Sequence, residues 1–234
     1  MNALLPVILS TTAGAVDVIG FLALGGLFTA HITGNVVVLA VHYATGGFGE
    51  IGPLLAVPVF ILVLGAVTVA AAAFDKTRYG SRRALLFLQA VLLAGCLAVG
   101  VWCGPFADAE GPIAVFVGML GVAAMATQNA LVRLALPGAP STAVMTTNIT
   151  QFTVDVATVL RGVTDPDQLG RARRRARVTL RSMAGFLAGC ASGATLEMHF
   201  GLWALALPAV LAAFAVTLDA LTSDRTTPSN VASA

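Results

Sequence analysis

Charge is what this sequence has least of. Only 10% of its 234 residues are Asp, Glu, Lys or Arg, against about 25% in a typical soluble domain. Such scarcity argues against a soluble fold. Cysteine is also sparse. Cys96, Cys103 and Cys190 all sit in apolar runs, at no metal-ligand spacing and in no even-numbered framework. They read as small buried hydrophobes, with no metal site. Phosphate loops, zinc-binding pairs and nucleophilic triads are missing too. The expectation is no catalytic residues, no cofactor and no enzyme. The start of the chain lacks a basic n-region, so its first apolar run reads as a mature membrane segment and not as a signal peptide.

Apolar residues fill the space that charge leaves. They make up 58% of the chain, and the mean hydropathy is +0.91. Apolar segments run about 2–28, 31–45, 53–74, 84–104, 112–136, 142–160, 178–199 and 202–222. Long apolar runs with short polar breaks predict an all-α, multi-spanning membrane protein whose first partner is the lipid bilayer. The basic residues cluster. Arg161, Arg171, Arg173, Arg174, Arg175, Arg177 and Arg181 form one group, and Lys76, Arg78, Arg82 and Arg83 another. In so apolar a chain, such clusters mark cytoplasmic loops and not a nucleic-acid surface. The loops 75–83 and 161–177 are therefore expected inside. The loop 105–111 carries Asp108 and Glu110 without Lys or Arg and is expected outside, as is 46–52.

Between 112 and 161 the chain must pass from outside to inside, which takes an odd number of crossings. Three crossings need roughly 60 residues, and the stretch is too short for them. One crossing leaves a surplus containing Pro137, Gly138 and Pro140. Proline and glycine end helices. The surplus is read as a re-entrant, broken element. The first half offers the same pieces, with a break at Gly25 and Gly26. The predicted fold is about six transmembrane helices in a 3+3 inverted repeat with two broken or re-entrant elements. Residues 1–104 form the first repeat, 112–222 the second, and 223–234 a polar tail. Both termini are expected in the cytoplasm. The rival is eight plain helices in two parallel fours, which would place the Arg-rich loop outside.

Each half carries one polar signature, Thr29-Ala30-His31-Ile32-Thr33-Gly34-Asn35 and Thr142-Ala143-Val144-Met145-Thr146-Thr147-Asn148. Polar groups in hydrocarbon need partners, so a repeated cluster of them marks either structure or a site. A helix that starts within the membrane points free amides at whatever fills the adjoining cavity. Thr29, Thr33, Asn35, Thr142, Thr146, Thr147 and Asn148 can cap those amides alone, or cap them and contact a ligand. Asn35 and Asn148 are expected to line one shared cavity. Asn148, Gln151 and Asp155 fall on one helical face, and His42 takes the place of Asp155 in the first half. These two read either as interfacial groups or as ion-coupling groups.

Asp17 is the sharpest candidate. A carboxylate in the run Ala13–Gly20 must be paired, hydrated or protonated. It is read as a coupling site or as an acceptor for the broken backbone, with His31 as its partner. Gln128 and Asn129 lie near the equivalent place, and Asn129 is read as the neutral counterpart. Glu197 and His199 read as solvated. Gly185, Gly189 and Gly193 recur every four residues, a spacing that lets membrane helices pack closely.

The run Gly14-Ala15-Val16-Asp17-Val18-Ile19-Gly20-Phe21, followed by Gly25-Gly26-Leu27-Phe28 and the first signature, resembles the YoaK-like family of bacterial membrane proteins, a domain of unknown function. The resemblance covers nearly the whole chain. It implies about six transmembrane helices in a bacterial inner or plasma membrane, and it brings no substrate or reaction. Two functions follow as expectations. One is a small secondary transporter or channel for a small-molecule or ion substrate, with its site between the broken helices. The other is a non-transporting sensor or assembly protein, whose Arg-rich loop docks a partner or anionic lipid. A homo-oligomer is compatible with either.

Overall fold

Backbone that crosses hydrocarbon must satisfy its own hydrogen bonds, and helices do so locally. In the computed structural model, which describes residues 4–46, 50–74, 78–162 and 165–224, the apolar runs are helical. The helices are α1 (Leu5–Ala23), α2 (Ile32–Ala44), α3 (Ile51–Phe74), α4 (Arg78–Cys103), α5 (Pro112–Ala135), α6 (Met145–Leu160), α7 (Pro166–Phe200) and α8 (Ala206–Asp224). A 3-10 turn, Gly201–Leu205, joins the last two. Five helical segments are long and apolar enough to cross a membrane, the fifth being Pro166–Thr222. That segment reverses at Gly201, whose φ of +56° only glycine adopts without strain. Lys76, residues 47–49 and 163–164, and most of the polar tail (225–234) lie outside the described residues.

Two expected loops are shorter than the charge pattern implied. Helix α4 already begins at Arg78. Most of the Arg-rich stretch 161–177 is helical from Pro166. Arginine is a good helix former, and the start signals are present. Asp165 caps the helix by accepting from the Asp167 amide at 2.9 Å, and Pro166 takes the first turn.

Helices α1 and α5 form the centre. Of their spans 72% and 61% is buried, against 11% for α3. Helix α1 packs on α7 and α8, and α5 packs on α3 and α4. The short helices α2 and α6 lie against α3 and α7 respectively. Exchanging α1–α4 with α5–α8 maps these pairs onto one another. The α1–α7 approach depends on glycine. A Cβ added at Gly185 would lie 2.9 Å from the Val7 carbonyl, one at Gly193 2.9 Å from that of Ala15, and one at Gly189 would collide with that of Thr11.

The two ends of the bundle differ in charge. At one end Glu110 accepts from the Ile51 amide at 2.5 Å, and Gly25 lies beside Glu50 and Glu110. At the other, Arg82 pairs with Asp219, and Arg83 approaches it at 3.7 Å. Arg133 and the arginines of α7 belong to this basic end.

Candidate functional site

Helix α1 ends at Ala23, and Gly25 and Gly26 (φ +64° and +76°) turn the chain back towards the centre. The returning strand of backbone, 27–31, has no helical partners for its amides. Asp17, buried on α1, supplies them. Its Oδ1 accepts from the Ala30 amide at 2.7 Å and the His31 amide at 3.3 Å, and the Thr29 hydroxyl lies 3.4 Å away. Its Oδ2 meets His31 Nδ1 at 2.6 Å. The pair is half-covered, with the His31 side chain 36% exposed and that of Asp17 6%. Phe28 and Phe186 set their rings edge-on to the imidazole. Asn35 is fully buried and closes the other side. Its carboxamide accepts from the Phe28 amide at 2.9 Å and donates to the Phe28 carbonyl at 2.8 Å.

The second broken element repeats this construction with neutral groups. Asn148 donates to the Ser141 carbonyl at 2.6 Å, the same seven-residue reach. Gln128 stands where Asp17 stands in the first half. Its Nε2 donates to the Thr142 hydroxyl at 2.8 Å and to the Leu9 carbonyl at 3.0 Å, and its Oε1 accepts from Gln89 at 2.6 Å. The expected counterpart, Asn129, instead donates at 2.8 Å to the Met125 carbonyl of its own helix. Two facts of the fold cause the difference. Residue 128 turns towards α1 and α4, whereas 129 turns towards the bundle's edge.

Each signature buries its alanine in the central core. Ala30 and Ala143 are buried in one apolar cluster with Ala13 and Val16 of α1 and Val122 and Met125 of α5. Their asparagines do not share a cavity. A cavity of about 490 Å³ opens beside α6, lined by Asn129, Arg133, Ser141, Thr147, Asn148, Gln151, Arg175 and Thr179. No residue of the first signature lines it, because Asn35 is buried against Phe28. Thr33, Thr146 and Thr147 are exposed, so they do not join the buried networks, and Gln151 is exposed as well.

Past the signatures, the far ends of the short helices each face a partner side chain. His42 Nε2 lies 3.6 Å from Glu50 Oε1. Asp155, fully buried, takes both Nε and Nη2 of Arg175, the latter at 2.7 Å. Burial favours the neutral carboxyl of Asp155. The hydrogen bonds from Arg175 and Gln151, with the guanidinium's charge, outweigh burial and hold it below its usual range. Glu50, Gln89 and Arg175 are partners that motif reading missed. Only the mid-span amide of Gln89 was a signal, being one more polar group needing a partner in an apolar run.

A family model described as "Protein of unknown function (DUF1275)" matches residues 5–218. No curated protein and no solved structure matches the chain.

Proposed function

Because the chain belongs to this family of unknown function, whose description assigns no substrate, we propose a function from the site: a small secondary transporter or channel. In this reading α1, α3, α4, α5, the apolar part of α7 and α8 make six crossings, in two halves of three with opposite orientation. The basic end faces the cytoplasm of a bacterium under the positive-inside rule, and both termini lie there. Residues 1–104 and 112–222 are the two repeats.

One observation carries the reading. Both broken elements bury residues in the central apolar cluster, and the second borders a cavity of mixed lining that includes Arg133 and Arg175. Non-helical backbone at membrane depth is tolerated where it is buried in protein or lines a cavity. Both conditions occur here, one in each half. Arg133 at the cavity favours an anionic or strongly polar solute over a cation, since the charge of Arg175 is met by Asp155.

Reconstituted protein should take up small organic anions into liposomes faster than empty vesicles do. Arg133→Glu should lower that flux while leaving the protein folded, since Arg133 is exposed. Absence of flux for anions, cations and polar metabolites alike, from well-folded protein, would end the transport reading. Orientation is tested separately. A cysteine placed at Gly170 in a cysteine-free chain should resist an impermeant thiol reagent in intact cells. Labelling there would restore the parallel eight-helix arrangement.

A further inference from the structure

A groove runs between α1 and α7 on the outer surface of the bundle. Leu4, Val7, Thr11, Ala184, Gly185 and Ala188 form its walls, and Arg181 stands at one end. Its floor is apolar. Thr11, the one hydroxyl in it, donates to the Val7 carbonyl at 2.9 Å. Gly185 lets α1 come close at the floor of the groove, and the short side chains of Ala184 and Ala188 keep its α7 wall low.

Charge is arranged along the same stripe. Arg174, Arg177, Arg181, Ala184, Gly185 and Ala188 follow helical spacing on one face. Helix α7 has 35 residues, about 52 Å at 1.5 Å per residue, so it outreaches a hydrocarbon core of about 30 Å. Its arginine-bearing part therefore stands at and beyond the membrane surface, while Ala184–Ala188 descend into it. All three arginines are exposed. Among the described residues none of the three has an acidic partner, whereas Arg171 and Arg175 are paired with Asp165 and Asp155. An apolar trough that ends under unmatched guanidinium groups has the polarity profile of a phospholipid with a net negative headgroup. Guanidinium suits phosphate because its fork of donors matches the phosphate oxygens.

We propose that this groove is a binding site for an anionic phospholipid, with one acyl chain along Val7, Thr11, Gly185 and Ala188 and the phosphate on Arg181, supported by Arg177 and Arg174. The site requires only that α1 and α7 lie in a bilayer. It does not depend on transport.

The test places a fluorophore in the trough. Trp102 and Trp203 are exposed, and Trp102→Phe with Trp203→Phe silences the native indoles. Ala188→Trp then reports from the groove in phosphatidylcholine vesicles doped with bromo-acyl phosphatidylglycerol or bromo-acyl phosphatidylcholine. Quenching should show a preference of at least about threefold for the glycerol lipid, since each arginine near an anionic headgroup adds attraction. Arg177→Gln with Arg181→Gln should bring the two lipids to near equality, and Arg181→Lys should keep most of the preference. Equal quenching in the parent chain overturns the proposal, as does a preference that survives loss of both arginines. Quenching by neither lipid, with the protein self-associated, would assign the groove to a second copy and overturn it as well. If the reporter chain does not fold, thermal melts of the unaltered protein in neutral detergent, with added phosphatidylglycerol or phosphatidylcholine, read the same preference. A rise in melting temperature with the glycerol lipid alone supports the site, and equal rises refute it.

Discussion

The two broken helices solve one problem with different chemistry. In the first half a carboxylate, Asp17, collects the amides of Ala30 and His31 and pairs with the His31 ring. In the second a carboxamide, Gln128, ties Thr142 to α1 and α4 without any charge. The first asparagine makes two hydrogen bonds to Phe28, and the second makes one to Ser141. The first element is closed, and the second borders a cavity. The two broken elements thus divide the labour: one holds the charge, and the other holds the opening.

The largest expected effect breaks the charged member. Asp17→Leu strands the backbone donors of Ala30 and His31 and takes the partner from the half-covered His31 ring. Leaving a buried backbone donor unsatisfied costs about 1–3 kcal/mol, so the loss should amount to a few kcal/mol. Asp17→Asn should cost much less, because its amide oxygen can still accept from the Ala30 amide. The protein should stay folded and inserted but lose any proton- or cation-linked activity. Melting temperature and flux, measured on the same preparations, decide. A well-folded Asp17→Asn protein with unchanged linked flux would make Asp17 purely structural.

Next comes the asparagine pair. Asn35→Ala removes two hydrogen bonds to backbone and should cost about 2 kcal/mol, and Asn148→Ala removes one and should cost about 1 kcal/mol. Equal costs would mean that the second asparagine also works through its cavity-facing groups. Ligand-induced stabilisation, present in the parent and lost in Asn148→Ala, would locate that extra role.

The glutamine bridge sharpens the neutral side. Gln89→Leu and Gln128→Leu should each cost roughly 1–3 kcal/mol, since each leaves a buried partner unsatisfied. The double variant should cost less than the sum, by about 1 kcal/mol, because the residues touch. Strict additivity in thermal melts would mean that the 2.6 Å contact contributes nothing.

Much of this arrangement was legible in the residues, and the illegible part has a physical pattern. Local signals worked. Gly25-Gly26 ends α1, Pro137 and Gly138 follow the end of α5, and the short helices begin within the signatures. Asp17 and His31 were readable as partners because hydrocarbon forces such groups to pair. Partner choice across helices was not readable. Whether residue 128 or 129 faces α1 depends on a rotation of about 100° per residue, which apolar flanks on all sides leave undetermined. The shared cavity failed for the same reason. Spacing locates Asn35 and Asn148 in their halves, but the i−7 bonds to Phe28 and Ser141 that occupy them depend on how each chain folds back.

The smallest effect tests the far ends of the short helices, where the halves differ in sign. His42 faces Glu50 at the acidic end, and Asp155 faces Arg175 at the basic end. His42 thus faces a carboxylate, and Asp155 faces a guanidinium. Swapping them should hurt both. His42→Asp sets an acid beside Glu50, and Asp155→His sets a base beside Arg175. Because the Arg175 side chain is 58% exposed, solvent screening limits the charge part of the Asp155→His cost to about 1 kcal/mol or less, and salt should shrink it further. The pH dependence has a definite sign. The carboxyl of Asp155 is held below its ordinary value in the folded protein, so its contribution is present above the unfolded value and lost as pH falls through the folded one. Melting temperatures of the parent and Asp155→Asn should therefore differ near neutrality and converge on acidification below the ordinary carboxylate range. A gap that persists unchanged into acid would show that Asp155 acts through packing, and that the sign inversion between the halves carries no energy.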